Sequence, residues 1–133
     1  MIGLSRLSFD LFRISLIGTV MNDSPNIIKV DLNNFASEVI AKSNHIPVLV
    51  DFTANWCAPC RVIMPILNKL AVDLEGQFIL AKVDTDEQQK LAGQHGIRGL
   101  PTLKLFRREK VVEETYGVQT ETTLRELIVR HYN

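Results

Sequence analysis

The sequence predicts an α/β fold in which a mixed central β-sheet has helices on both faces. Two mainly apolar runs, Val48–Phe52 and Gln77–Asp84, have the near-continuous hydrophobicity that is typical of buried parallel strands. Two later runs, Pro101–Phe106 and Val111–Tyr116, are separated by a segment so short that it allows only an antiparallel hairpin. Segments with helical apolar spacing lie between and after these runs, and the resulting order is βαβαβαββα.

The first elements are short. Ile27–Val30 is predicted to form a strand, and Asp31 to be the N-cap of a helix that extends through Ile40. The strand Val48–Phe52 follows, and its apolar character is broken by Asp51. Because burying a charge is costly, a carboxylate in such a strand needs a structural or functional explanation.

A long helix is predicted from about Cys57 to Leu74. Pro59 fits its first turn, where no intrahelical hydrogen bond is lost. Pro65 lies in the interior and is predicted to kink the helix, because it removes one backbone hydrogen bond. The apolar residues at helical spacing are predicted to face the sheet, and they are Ile63, Ile66, Leu67, Leu70 and Leu74.

The second half of the chain continues the alternation of strands and helices. The strand Gln77–Asp84 follows Gly76, and a short helix is predicted over Asp86–Gln94. Arg107–Lys110 joins the two hairpin strands without the Asn-Gly pair that favours such a turn. Thr120 is predicted to cap a last helix. The residues of that helix that share one apolar face are Leu124, Leu127 and Ile128.

The composition indicates one domain with no net charge. The chain has 133 residues, 46% of them hydrophobic, and its 15 basic residues balance its 15 acidic ones. No strong field therefore favours nucleic acid or an anionic membrane, and no apolar run reaches the ~20 residues that span a bilayer. We expect a cytoplasmic monomer in which residues 25–133 form the domain and residues 1–24 a flexible or amphipathic extension.

Residues 1–20 have a pattern of their own. Apolar residues recur at helical spacing, namely Leu4, Leu7, Leu11 and Ile14. Charged residues interrupt any signal-peptide core, namely Arg6, Asp10 and Arg13. The segment is therefore a poor secretory signal. A partner-binding helix, a transit peptide and an upstream stretch before a start at Met21 stay open.

The two cysteines of the chain, Cys57 and Cys60, form a Cys-x-x-Cys motif shortly after a predicted strand. If Cys57 begins the helix, the unpaired N–H groups and the helix dipole stabilise its thiolate, whereas Cys60 is shielded one turn later. Such a pair can cycle between dithiol and disulfide. We therefore predict thiol–disulfide exchange, in which Cys57 attacks a substrate disulfide and Cys60 resolves the mixed disulfide.

Two other interpretations of the cysteine pair compete with exchange. One is an inert pair of buried thiols. The other is a zinc site, which needs more ligands than the pair provides, because the chain has no second cysteine pair and its histidines are scattered. The histidines concerned are His45, His95 and His131. Exchange chemistry remains the favoured interpretation.

Three further residues are candidates for the same site. Burial of Asp51 would raise its pKa and allow it to accept the proton of Cys60, although a purely structural role is the alternative. Pro101 opens the hairpin, and the turn before it could hold a cis bond. Trp56 precedes Cys57 and is either an exposed contact for a protein substrate or an ordinary packing residue.

Taken together, these residues resemble the thioredoxin family over about Ile27–Tyr132. Several separate motifs in the expected order carry the resemblance. The matching segments are the active-site stretch Val50–Cys60, the helix proline Pro65, the strand Ala81–Asp84, the cis-proline turn Gly96–Thr102 and the groove segment Tyr116–Val118.

The resemblance implies the thioredoxin fold and the activity of a protein disulfide reductase. It implies that Cys57 is the nucleophile and Cys60 the resolving thiol. It also implies that Asp51 and Lys82 are a buried pair that handles the proton, and that Pro101 is cis.

The resemblance also implies a substrate surface and partners. The substrate-binding residues would be Trp56, Ala58, Pro59, Leu100, Pro101, Gly117 and Val118. The substrates would be disulfide-containing proteins, and a thioredoxin reductase that uses a flavin and NADPH would regenerate the dithiol. The chain would need no metal and no cofactor beyond its own redox-active disulfide. Electron transport and cell redox homeostasis would be its cellular roles.

Two departures from the family pattern lie beside the cysteines. Ala58 stands where glycine is usual, and Thr53 replaces a common aromatic residue. They leave the redox potential open. Two other functions also stay open: a client-binding module of a redox chaperone, which Gly76–Lys82 also resembles, and a disulfide oxidase or isomerase.

Overall fold

One mixed β-sheet forms the centre of residues 24–132, the part of the chain that the computed structural model describes. Its strands are β1 (Ile27–Lys29), β2 (Val48–Thr53), β3 (Ile79–Asp84), β4 (Thr102–Arg107) and β5 (Lys110–Tyr116). Their order across the sheet is β1-β3-β2-β4-β5. β3 pairs in parallel with β1 and β2, whereas β4 pairs antiparallel with β2 and β5. The predicted mixed sheet is confirmed.

Helical segments lie between the strands and after the last one. They are a π-helical segment (Ala36–Ala41), a 3₁₀ turn (Lys42–Asn44), α1 (Ala58–Asp73), α2 (Gln89–Gln94) and α3 (Glu121–Arg130). The predicted cap of the last helix is confirmed, because Thr120 Oγ1 accepts a hydrogen bond from the Thr123 N–H at 3.1 Å. The long helix lies where it was predicted and contains Pro65 in its interior. The short helix α2 begins three residues later than predicted.

Asp31 makes the hydrogen bonds of the N-cap predicted for it, and its carbonyl accepts the first helical bond, from the Phe35 N–H at 3.1 Å. Its carboxylate accepts hydrogen bonds from the N–H groups of Asn33 and Asn34, both at 2.8 Å. The side chain of Asn34 in turn accepts one from the Asp31 N–H at 2.7 Å. This reciprocal pair of side-chain bonds is a capping box. The regular helical segment begins a few residues later, at Ala36.

The β4–β5 hairpin turns through Arg108 and Glu109, which have φ angles of 53° and 68°. Two consecutive left-handed residues are typical of a type I′ turn, for which Asn-Gly is the preferred pair. Here Ser43 compensates for the unfavourable local sequence. Its carbonyl accepts from the Arg108 N–H at 2.7 Å, and its Oγ accepts from the Glu109 N–H at 2.8 Å. Tertiary hydrogen bonds thus hold the turn.

Two apolar clusters lie on opposite faces of the sheet. The residues of β2 alternate between them, because successive side chains of a strand point to opposite faces. The cluster beside α1 and α3 includes Leu49, Ile63, Leu67, Leu80, Leu124 and Ile128. The cluster beside the π-helical segment and α2 includes Val39, Val48, Val50, Phe52 and Leu91. Helices therefore cover both faces, as predicted.

The strand directions bring three loops to one edge of the sheet. β2 and β3 are parallel, so their carboxyl ends lie side by side, where Thr53 pairs with Asp84. β4 runs the other way, and its first residue, Thr102, pairs with Phe52. The loops after β2, after β3 and before β4 consequently meet at this edge.

The amphipathic pattern predicted for residues 1–20 lies outside the described residues. Within residues 24–132, no helix combines the length and the apolar character that crossing a membrane would require.

Candidate active site

Cys57 and Cys60 are joined by a disulfide at the start of α1, at the sheet edge described above. Cys57 is the N-cap, with extended backbone angles of −83° and 111°, and its Sγ accepts a hydrogen bond from the Cys60 N–H at 3.2 Å. Their Cα atoms are 5.2 Å apart. An N-cap sulfur faces N–H groups that have no intrahelical partner, and these groups favour a negative charge on it. Pro59 lies in the first turn, as predicted.

Neither sulfur-bearing residue is freely accessible. Cys57 is 4% exposed and Cys60 3%, and both pack against Ala54 and Leu100. Access to the disulfide therefore depends on the side chains around it. Arg61 braces the turn from one side, because its guanidinium donates to the Asn55 carbonyl at 2.8 Å. The sequence alone suggests only a solvated charge for Arg61.

Trp56 is 68% exposed, which decides between the two interpretations of this residue in favour of an exposed side chain. Its indole is nevertheless fixed in direction, because Nε1 donates to Asp86 Oδ2 at 2.9 Å. Asp86 follows β3, whose carboxyl end adjoins that of β2. Sequence reasoning assigned no role to Asp86, although an acidic residue after the neighbouring parallel strand was a usable signal.

Pro101 closes the opposite side of the site. The Leu100–Pro101 peptide bond is cis, as the family resemblance implied. The Pro101 carbonyl accepts a hydrogen bond from the Gly117 N–H at 2.9 Å, which links the loop before β4 to the residue after β5. Gly117 has a φ of 74°, a conformation that favours glycine. Val118 follows it and is 47% exposed.

The predicted substrate-binding residues differ in exposure. Trp56, Ala58, Pro59 and Val118 are exposed, Leu100 and Gly117 are half-buried, and Pro101 is buried. Leu100 contacts the cysteine pair, and Gly117 is hydrogen-bonded to Pro101. Six of these seven residues therefore lie in the cysteine turn or are linked to it through Leu100 and Pro101. The seventh, Val118, follows Gly117 in the chain.

Asp51 lies within β2 and is 3% exposed. Its side chain points to the α1 face, because it alternates with Val50 and Phe52, which contact the other cluster. Burial raises the pKa of Asp51 to about 7, and the nearby Lys82 opposes this rise. Within residues 24–132, Asp51 Oδ1 is a buried oxygen without a hydrogen-bond partner. A carboxyl group with these properties can exchange a proton near neutral pH.

Lys82 is the register partner of Asp51 on the neighbouring strand β3. Burial lowers the pKa of Lys82, and the charge of Asp51 opposes this change. The Lys82 ammonium donates a hydrogen bond to Asn68 Oδ1 on α1 at 2.9 Å. Asn68 is 4% exposed and was missed by sequence reasoning. A polar residue next to Leu67 on an otherwise apolar helix face was the signal that could have found it.

The described part of the chain contains no cluster of metal-binding side chains. Among residues 24–132, no three histidine, cysteine, aspartate or glutamate side chains lie close enough to hold a metal ion. His95 is half-buried and packs against the other core, with its ring centroid 4.7 Å from that of Phe35.

Comparison with known proteins shows what this arrangement is similar to. Residues 26–130 match the family model named Thioredoxin. Thioredoxin 1 of Nostoc sp. is 39% identical over 99 residues, which are 74% of this chain and 91% of the relative. Thioredoxin 1 of Synechococcus elongatus is 41% identical over 97 residues, 73% of this chain and 89% of the relative. The solved structure of a mutant thioredoxin from Halobacterium salinarum has a TM-score of 0.71 and 37% identity, and the match covers 83% of this chain and 95% of that one.

Proposed function

Since this chain belongs to the thioredoxin family and is a thiol–disulfide oxidoreductase of the protein disulfide reductase type, we propose that Cys57 is its attacking thiol. The observation that carries this assignment is the placement of Cys57 as the N-cap of α1. There the free N–H groups stabilise a thiolate, whereas Cys60 lies inside the first turn. The two thiols therefore have different roles.

The reaction has two exchange steps. The Cys57 thiolate attacks one sulfur of a substrate disulfide, forms a mixed disulfide and releases the other substrate sulfur as a thiolate. Cys60 then attacks Cys57 Sγ, which releases the second substrate thiolate and closes the Cys57–Cys60 disulfide. Two electrons pass from the protein to the substrate, and the released thiolates take up protons from solvent.

Asp51 is proposed to accept the proton that Cys60 loses before the second step. Its support is the burial of the carboxyl group on the α1 face of β2 and a pKa of about 7. Such a group is deprotonated often enough to act as a base and protonated often enough to return the proton. Lys82 is proposed to assist by balancing the charge of the Asp51 carboxylate.

The substrate is proposed to bind across the exposed residues around the cysteine turn. Trp56 and Pro59 offer apolar contact area beside the nucleophile, and Val118 extends it on the other side. The backbone before Pro101 would pair with an extended substrate segment. The remaining members of this surface are Ala58, Leu100 and Gly117. An extended protein segment fits this arrangement because backbone pairing tolerates many sequences.

The cellular setting is also a proposal. A reductase that uses a flavin and NADPH would return Cys57 and Cys60 to the dithiol, and the chain would need no cofactor of its own. A cytoplasmic location and roles in electron transport and redox homeostasis would follow. Residues 25–133 would act as the domain and residues 1–24 as an extension.

A reductase assay tests the cysteine roles. With dithiothreitol or a thioredoxin reductase as electron donor, the wild-type chain should reduce a protein disulfide rapidly, and Cys57→Ser should not. Cys60→Ser should accumulate a mixed disulfide through Cys57, visible as a covalent complex by mass spectrometry. If Cys57→Ser formed the trapped complex and Cys60→Ser did not, the two roles would be reversed. Full suppression of client aggregation by a double-serine variant that also lacks reductase activity would point to a client-binding module.

A further inference from the structure

Asn68 is a buried polar residue on the face of α1 that packs against the sheet. It is 4% exposed and lies beside Leu67 and Ala71, both fully buried. A buried amide costs free energy unless its hydrogen bonds are satisfied, whereas a leucine in the same place would not carry this cost. Asn68 Oδ1 accepts a hydrogen bond from Lys82 Nζ at 2.9 Å. The amide is therefore engaged with Lys82, whose charge opposes the rise in the pKa of Asp51.

The strand register explains why this contact matters. Asp51 and Lys82 are partners on the parallel strands β2 and β3, so both side chains project to the same face of the sheet, toward α1. A lysine side chain has a long flexible stem, and Lys82 is only partly buried. Register alone does not determine whether its ammonium stays beside the carboxyl group or reaches solvent. The hydrogen bond to Asn68 holds it on the buried side.

We propose that Asn68 is a positioning residue that holds the Lys82 ammonium on the α1 side of β3, within electrostatic reach of Asp51, and thereby sets the pH at which the Asp51 carboxyl group exchanges its proton. Asn68 touches neither the sulfur atoms nor a substrate in this assignment. Any effect of Asn68 on turnover rests on the proposed function, in which Asp51 transfers a proton. The effect of Asn68 on the titration midpoint of Asp51 does not depend on that function.

The surroundings of Asp51 leave Lys82 as its controlling charge. On the β4 side its register partner is Leu103, which is apolar. Helix α1 contributes Asn68 and the cysteine pair, which is uncharged as a disulfide. Helix α3 contributes apolar residues to this core, namely Leu124, Leu127 and Ile128. Of the described charged groups, Lys82 is the one that acts on the pKa of Asp51.

The test is a double-mutant cycle read by NMR. The carboxyl carbon of Asp51, labelled with carbon-13, is titrated in the oxidised full chain, in Asn68→Leu, in Lys82→Met and in the double variant. Asn68→Leu keeps the number and branching of the side-chain heavy atoms and removes the acceptor. Because the ammonium can then move into solvent, we expect the Asp51 midpoint to rise by about one pH unit, a part of the ~1–3 units that an adjacent opposite charge produces.

In the Lys82→Met background, the same Asn68 substitution should leave the midpoint unchanged, because no ammonium remains to be positioned. The proposal would be overturned if Asn68→Leu shifted the Asp51 midpoint equally with and without Lys82, or in neither case. A lower midpoint in the chain that retains Lys82 would also overturn it. If Asn68→Leu failed to fold, Asn68→Ala in the same two backgrounds gives the same comparison. The titration needs no turnover, so a failure of Asp51 as the proton acceptor, measured with Asp51→Asn, remains a separate result.

Discussion

The indole Nε1 of Trp56 donates a hydrogen bond to Asp86 Oδ2 across 2.9 Å, which ties the residue before Cys57 to the loop after β3. The tryptophan is 68% exposed, so packing alone does not determine its orientation. The two loops can meet because β2 and β3 are parallel neighbours. If Trp56 contacts a protein substrate as proposed, its side chain is oriented in advance, which reduces the ordering cost of binding.

Asp86→Ala should weaken the reduction of protein disulfides more than that of small disulfides. The loss of an exposed hydrogen bond to a charged group is worth about 0.5–1 kcal/mol, which corresponds to a roughly threefold rise in KM. Steady-state kinetics with a protein disulfide and with a small aromatic disulfide measure the difference. Asp86→Asn keeps an acceptor and is the matched control. Equal losses with both substrates would contradict an orienting role.

Asp51→Asn should stabilise the fold in a pH-dependent way. The folded pKa of about 7 lies above the ordinary value of 3.8, so the folded state binds more protons than the unfolded state between these pH values. The stability of the wild type therefore falls as pH rises from about 4 and levels off above about 7. The difference between the two pKa values corresponds to about 4 kcal/mol at most.

Guanidinium unfolding at pH 4, 7 and 9 checks this expectation. The advantage of Asp51→Asn over the wild type should be near zero at pH 4 and reach a few kcal/mol at pH 9. If the difference in stability between Asp51→Asn and the wild type were the same at all three pH values, Asp51 would not be a buried group with a raised pKa.

The same substitution should slow turnover even though it stabilises the protein. The asparagine side chain of this variant would be unable to take the proton of Cys60, so the second exchange step would depend on water as the acceptor. We expect the rate of this step to fall about tenfold. This is less than the ~10²–10⁴ that a general base usually contributes, because a thiol loses its proton to water comparatively easily. Single-turnover measurement of mixed-disulfide decay isolates the step. An unchanged decay rate would remove Asp51 from the mechanism.

Glu109→Gly should stabilise the hairpin by about 1 kcal/mol. Glu109 has a φ of 68°, and a residue with a side chain is disfavoured in this region whereas glycine is not. The gain exceeds the loss of the exposed contact between Glu109 and Asn44. Thermal unfolding checks the prediction, and Lys110→Gly is the control, because Lys110 lies in β5 and glycine weakens a strand. A lower melting temperature for Glu109→Gly would contradict it.

The order of the elements was predictable from local patterns. The buried strands were visible because continuous apolar runs have few other uses, and α1 because apolar residues recur along it at helical spacing. The Thr120 cap needed only the residue type and its position. The Asp31 cap was predictable in the same way, but the π-helical character of the segment that starts at Ala36 was not, because residue types alone do not distinguish it from an α-helix.

The residues of the site also differ in whether local sequence is enough to identify them. Cys57, Cys60 and Asp51 could be identified from their place in the sequence, since the chemistry of thiols and of a buried carboxyl group is a property of the residue and its immediate neighbours. For Asn68 and Asp86 the sequence offers only a residue type at an unusual position and not the partner, because their partners lie 14 and 30 residues away. Only the parallel register of β2 and β3 and the packing of α1 bring those partners within hydrogen-bond distance. Local patterns thus decide which groups can react, whereas the tertiary structure decides which of them are held in place, because long-range hydrogen bonds form only once the chain has folded.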